Sequence, residues 1–285
     1  MKRALVLGGG GLVGIAWEMG VVAGLAEAGV DLRDADLIVG TSAGSVVGAH
    51  LAHGRDPATL EESAAARPLG SFPPDVATIT AVFQLWASFG EMTQDACAQV
   101  GRLALAAKTV PEDEWLAGFA ANDWPGWPEK PLLITAVDCE SGAFKAFDRH
   151  SGVEIHRAVA ASCAVPGMVP PVTIGGRRYT DGGVRSGTSA DLAQSIEPDR
   201  VLIIAPMGSP GVESGIGEVI ARQIARETGE LEGAGAKVYL IQLDEAAREA
   251  VGGNLMDPAR AAPAAEAARA HVRRIAPEIR EWWGK

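Results

Sequence analysis

Cysteine is scarce: Cys97, Cys139 and Cys163 are the three in 285 residues. An odd count without the paired spacing of zinc or redox motifs excludes a disulfide scaffold and points to a reducing, cytoplasmic setting. Positive charge is also short. Against 36 Asp and Glu stand 25 Lys and Arg, a formal charge of −11, so no cationic face is expected for a nucleic acid, and a strongly anionic membrane would repel the chain. No apolar run reaches the length of about 18 residues that a membrane span needs. Glycine (35) and proline (17) stay below the level of a low-complexity chain. With 47% apolar residues, the chain suffices for one large α/β domain or two small ones. The start, Met1 to Leu7, copies the basic and apolar regions of a leader, but Gly8 to Gly11 break the run and it is read as a strand.

Periodicity predicts strand–helix alternation: strands at Arg3–Leu7, Asp36–Val39, Val201–Ile204 and Val238–Ile241, with helices at Leu12–Ala28, Ala43–Ala52, about Glu213–Glu232 and Asp257–Trp283. Such alternation implies a mostly parallel sheet flanked by helices. The middle differs. Asp75 to Thr109 reads as helical, Pro111 to Pro131 carries four prolines and three tryptophans, and Leu132–Val137 with Ala143–Phe147 reads as a hairpin. One domain over 1–285 with a helical insertion at about 55–130 is expected.

Three signals carry chemistry. Gly40-Thr41-Ser42-Ala43-Gly44 is a G-x-S-x-G between a strand and a helix, the setting of a nucleophile elbow; the bland alternative is a plain turn of small residues. Gly8 to Gly14 also joins a strand to a helix. Gly9, Gly11 and Gly14 satisfy a dinucleotide fingerprint, but the second strand ends in the serine turn rather than in the acidic residue that would hold a ribose. Beside a nucleophile, the N–H groups of Gly9, Gly10 and Gly11 suit an oxyanion hole, with Gly10 and Gly11 foremost. The third signal is Asp181-Gly182-Gly183. Of five histidines, only His271 follows Asp181, and it falls inside an expected helix. His50 and His53 lie down the helix that Ser42 opens.

These blocks, together with Ala161-Ser162-Cys163-Ala164-Val165-Pro166, resemble in order the motifs of the patatin-like phospholipases. The resemblance implies a three-layer α/β/α fold and an acyl hydrolase acting on lipid carboxylic esters without cofactor or metal. It implies a Ser42–Asp181 dyad with an acyl-Ser42 intermediate. Because a carboxylate with a reference pKa of about 3.9 is a poor base for a hydroxyl, such a site must be dry. Many family members carry arginine in the glycine loop where this chain has Val13, so phosphate-bearing, lysophospholipid and neutral acyl substrates stay open. Two other readings remain: a non-catalytic nucleotide-binding module using Gly8–Gly14, and a Ser–Asp–His α/β-hydrolase. Ser162, without glycine flanks, is given a supporting role. The 75–130 insertion, with Phe83, Trp86, Phe89, Trp115, Trp124 and Trp127, is expected either to form a lid or acyl channel with weak peripheral membrane contact or to pack over the sheet.

Overall fold

The computed structural model describes residues 1–59, 74–89, 91–120, 122–209 and 215–284; residues 60–73 of the expected insertion and Glu213 lie outside them. Strands β1 (Arg3–Leu7) and β2 (Leu37–Gly40) are buried along nearly their whole length. They sit side by side in the middle of one sheet, where helices cover both faces and continuous apolar runs are required. The sheet is completed by β3 (Leu132–Asp138), β4 (Phe144–Phe147), β5 (Val172–Ile174), β6 (Arg177–Asp181), β7 (Arg200–Ala205) and β8 (Lys237–Gln242). Its order is β5-β6-β3-β2-β1-β7-β8, with β4 on β3. Pairs β1–β2, β1–β7, β2–β3 and β7–β8 are parallel, while β4 and β6 run antiparallel to β3, and β5 to β6. The sheet is thus mostly parallel, with helices on both faces, as expected.

Helix α1 (Gly11–Glu27) is buried from Val13 to Leu25, packed along α9 (Ala261–Gly284) and sharing one core cluster with Leu5 and Leu7 of β1. Helix α2 (Ala43–Ala52) leaves the end of β2. The expected helix over Asp75–Thr109 is two, α3 (Val76–Ser88) and α4 (Gln94–Ala106), because Asp75 and Thr93 each cap a separate start. Within the proline-rich stretch lies α5 (Glu112–Ala120), with three acidic residues in its first turn. Helices α6 (Ile155–Ser162), α7 (Gly215–Gly233) and α8 (Glu245–Val251) complete the set.

The proline-rich part of the insertion packs into the core. Trp115 and Trp124 are 4% and 3% exposed and belong to the main core, with Trp127 packed against it. The Trp115 indole N–H donates to Ala160 O at 3.1 Å, which ties α5 to α6. Among the described residues no helix is long and apolar enough to cross a membrane.

Candidate active site

Parallel strands β1 and β2 end together, and their carboxyl ends carry the two glycine-bearing motifs, the usual location of a ligand crevice in such sheets. Ser42 sits on the turn from β2 to α2 at φ 52°, ψ −117°, a strained conformation for a non-glycine residue that costs on the order of 1–3 kcal/mol and marks functional turns. What over-determines it is visible around it. The Ser42 N–H donates to Ser162 Oγ at 2.9 Å, and its carbonyl accepts from the Ser45 hydroxyl at 2.7 Å and the Cys163 thiol at 3.3 Å. Gly44 packs so close to β1 that a Cβ there would stand 2.1 Å from Leu7 O, which explains the small residue two after the serine.

Asp181 arrives by the antiparallel arm. Register Gly40↔Ile134 on one side of β3 and Ala136↔Asp181 on the other bring the end of β6 level with the serine turn. The Ser42 side chain lies close enough to act on its carboxyl, which accepts from Gly183 N at 2.7 Å. Asp181 is 5% exposed, and burial pushes its pKa up to about 7 against the pull of those two donors. The dryness that a carboxylate base requires is therefore present. No histidine is among the groups acting on it. His271 lies in α9 with its ring half-buried and its pKa lowered by burial, and His53 is engaged by Ala49 O and Gly126 O.

The glycine loop lies against this pair. A methyl built at Gly9 would sit 3.5 Å from Ser42 Cβ, and Gly44 N donates to Gly8 O at 2.9 Å. The three expected oxyanion donors are not equivalent. Gly9 N–H goes to Gly187 O at 2.8 Å and Gly8 N–H to Ile204 O at 2.9 Å, so Gly9 has no N–H to offer and its inclusion is corrected. Among the described residues no acceptor takes the N–H of Gly10 or Gly11. With Gly8 and Gly9 already bonded inside the fold, the loop is also poorer as a pyrophosphate cradle than its glycine count suggested. Gly11, at φ +62°, turns the chain into α1, whose Val13 N–H is held by Leu255 O at 2.9 Å.

The Ala161–Pro166 block turns out to touch both functional groups. Besides Ser162 and Cys163 on Ser42, Ala164 O accepts Asp181 N–H at 3.0 Å and the Thr180 hydroxyl at 2.6 Å. These contacts support both groups, in line with the supporting role expected of Ser162.

A serine on a strained strand-to-helix turn, beside a buried aspartate and flanked by a glycine loop, has the arrangement of a nucleophile elbow on an α/β sheet. The model of the patatin-like phospholipase family matches residues 5–193, and the chain belongs to that family. Patatin-like phospholipase domain-containing protein 6 of Homo sapiens is 30% identical over 205 residues, covering 70% of this chain and 13% of that protein. Lysophospholipase nte1 of Aspergillus fumigatus is 29% identical over 210 residues, 72% of this chain and 12% of that protein. An uncharacterized NTE family protein of Mycobacterium tuberculosis is 28% identical over 193 residues, 66% of this chain and 27% of that protein. The matched region is thus about an eighth of the first two relatives and about a quarter of the third. Two solved structures are similar: VipD from Legionella pneumophila (TM-score 0.49, 13% identity, 97% of this chain and 67% of that one) and the type III effector ExoU (TM-score 0.42, 19% identity, 96% and 53%).

Proposed function

We propose that this chain is a serine acyl hydrolase that cleaves carboxylic esters of acyl lipids through an acyl-Ser42 intermediate, with Asp181 as the base. The observation that carries this reading is the placing of Ser42 beside Asp181 in a dry site, next to two glycine N–H groups that have no acceptor among the described residues. Ser42 Oγ attacks the ester carbonyl carbon as its proton passes to the Asp181 carboxylate, and the tetrahedral oxyanion is held by Gly10 and Gly11 N–H. Collapse breaks the ester C–O bond, and the departing alkoxide takes the proton back from Asp181. Water then adds to acyl-Ser42 by the same route in reverse, freeing the fatty acid and restoring the serine. A base near pKa 7 is matched to work at neutral pH.

Val13 is fully buried and brings no cation to the glycine loop. The substrate class is therefore given by the acyl ester, and the loop provides no charge that would require a phosphate. The three cysteines are free, in keeping with action in a reducing cytoplasm.

A fluorophosphonate probe with peptide mass spectrometry tests the reading, run beside p-nitrophenyl esters of increasing chain length, a phospholipid and a lysophospholipid. Labelling at Ser42 is expected in the wild-type protein and absent in Ser42→Ala, with ester turnover lost in parallel. A folded Ser42→Ala protein that keeps more than trace turnover overturns the assignment.

A further inference from the structure

Helix α7 turns an apolar face to the sheet, with Val219, Ile220, Ile224 and Leu231 buried. Two polar residues interrupt that face one turn apart: Gln223 is 8% exposed and Glu227 fully buried. Both reach the segment that follows Asp181. Gln223 Nε2 donates to Arg185 O at 3.0 Å. The Glu227 carboxylate accepts from the Ser186 hydroxyl at 2.6 Å, the Thr188 hydroxyl at 2.7 Å and Ala190 N–H at 2.8 Å. Burying a carboxylate is costly unless hydrogen bonds compensate, and an apolar residue would pack this face without that cost. Three donors aimed at one carboxylate mark a group that organises what surrounds it.

The segment it holds bears on both halves of the site. Gly187 O accepts Gly9 N–H at 2.8 Å, which fixes the glycine loop. Thr188 O accepts from the Thr41 hydroxyl at 3.4 Å, and Thr41, the residue before the serine, is also bonded to Thr135 at 2.8 Å. Directly after these anchors Ser189 adopts a left-handed conformation at φ 51°, so the segment depends on its side-chain ties to keep its course. Glu227 stands outside residues 5–193 that match the family.

We propose that Glu227 is a positioning residue for the Ser42 site: by holding residues 186–190 it sets, through Gly187 and Thr188, the spacing between the oxyanion loop and the serine turn. It touches no substrate. The proposal rests on the acyl-hydrolase reading above.

The test compares Glu227→Gln and Glu227→Ala with wild type on a short soluble ester, well below each variant's Tm. Glutamine keeps the shape but replaces one accepting oxygen with an NH₂ group, and alanine removes every tie. The expected losses in kcat are about 10-fold for Gln and about 10²-fold for Ala, the scale of a misplacement near 1 Å, with KM little changed. The rate of fluorophosphonate labelling at Ser42 is expected to fall in the same proportion. A role confined to stability would lower Tm while leaving kcat and labelling rate per folded molecule at the wild-type level, and that result overturns the proposal. If the alanine variant does not fold, the glutamine variant decides alone by the same criteria. Failure of the underlying reading looks different, since wild-type protein itself would then neither label at Ser42 nor turn over ester.

Discussion

The backbone N–H of Ser42 is tied to the hydroxyl of Ser162, 120 residues later in the chain, by a 2.9 Å hydrogen bond. This link joins the serine turn to the end of α6 and fixes the direction in which the Ser42 side chain leaves the turn. Ser162→Ala removes the acceptor of a buried N–H, a loss of about 1–3 kcal/mol. The expected result is a lower Tm together with a drop in kcat of about 10-fold, because the elbow loses one of the bonds that holds its strained φ. Thermal melts and ester kinetics on the same preparation check it. A variant that melts lower yet turns over at the wild-type rate would show that Ser162 stabilises α6 without orienting Ser42.

The Asp181 carboxyl makes two opposite pH predictions. In the proposed role of base it must be ionised, so kcat/KM is expected to rise with pH through about 7 and level off above. As a buried group its folded pKa lies above its unfolded value of 3.8, so the folded state binds the proton more tightly. Its cost to stability is absent below about 3.8, grows as pH rises and is complete above about 7, on the order of 4 kcal/mol. Asp181→Asn should therefore abolish turnover while raising Tm relative to wild type, by a margin that widens from pH 4 to pH 8. A Tm difference that stays flat across that range would mean that the carboxyl is not the dry group described.

Gly11 meets two constraints at once: φ is +62°, and a Cβ there would stand 2.8 Å from Leu255 O and 3.1 Å from Met256 Sδ. Gly11→Ala must displace the loop and with it one N–H donor. A missing oxyanion donor costs about 10²–10³ in rate, expressed in kcat and not in KM. Steady-state kinetics on a folded Gly11→Ala protein decide the matter, and an unchanged kcat would remove the loop from the oxyanion role.

The central strands and the serine elbow were legible because local rules govern them: continuous apolar runs for buried parallel strands, and small residues where β2 meets α2. The β5–β6 arm was not foreseen. Its strands are three and five residues long, and the second ends in Thr180 and Asp181, polar groups that are buried only because Ala164 O and the serine turn meet them. Prolines hid α5, although Glu112, Asp113 and Glu114 after Pro111 form an acidic first turn that signals a helix start. Ser162 and Glu227 act across long sequence separations. For Glu227 a cue did exist, namely two polar residues four apart on an otherwise apolar helical stripe. For Ser162 the motif around it pointed to a supporting role but not to its partner, since an acceptor for another residue's N–H carries no local pattern.

Glu18, in α1, is another buried carboxyl, with both oxygens lacking a hydrogen-bond partner among the described residues. The one backbone donor acting on it, Gly8 N–H, already goes to Ile204 O at 2.9 Å. Burial raises its pKa well above 4.5, so the folded protein keeps the proton and its stability declines as pH climbs past the unfolded value. Glu18→Gln matches the size without an ionisable group. Its Tm should equal or exceed wild type near pH 5 and exceed it by more at pH 8, and a lower Tm at both would indicate a hidden partner for the carboxyl.

Trp124 decides what the insertion contributes. Its ring is buried between His50 and His156, with centroids 5.1 and 5.4 Å away, and its indole N–H donates to His50 Nδ1 at 3.4 Å. A residue so placed fastens the α5–β3 connection to α2 and α6, the helices that begin at Ser42 and end at Ser162. Trp124→Ala leaves a cavity of the kind that costs about 3–5 kcal/mol. A large drop in Tm is expected, with activity on short soluble esters and on aggregated long-chain lipid reduced by the same factor. A loss confined to aggregated lipid at an unchanged Tm would instead assign this tryptophan to the lipid interface and restore the lid reading for the proline-rich stretch.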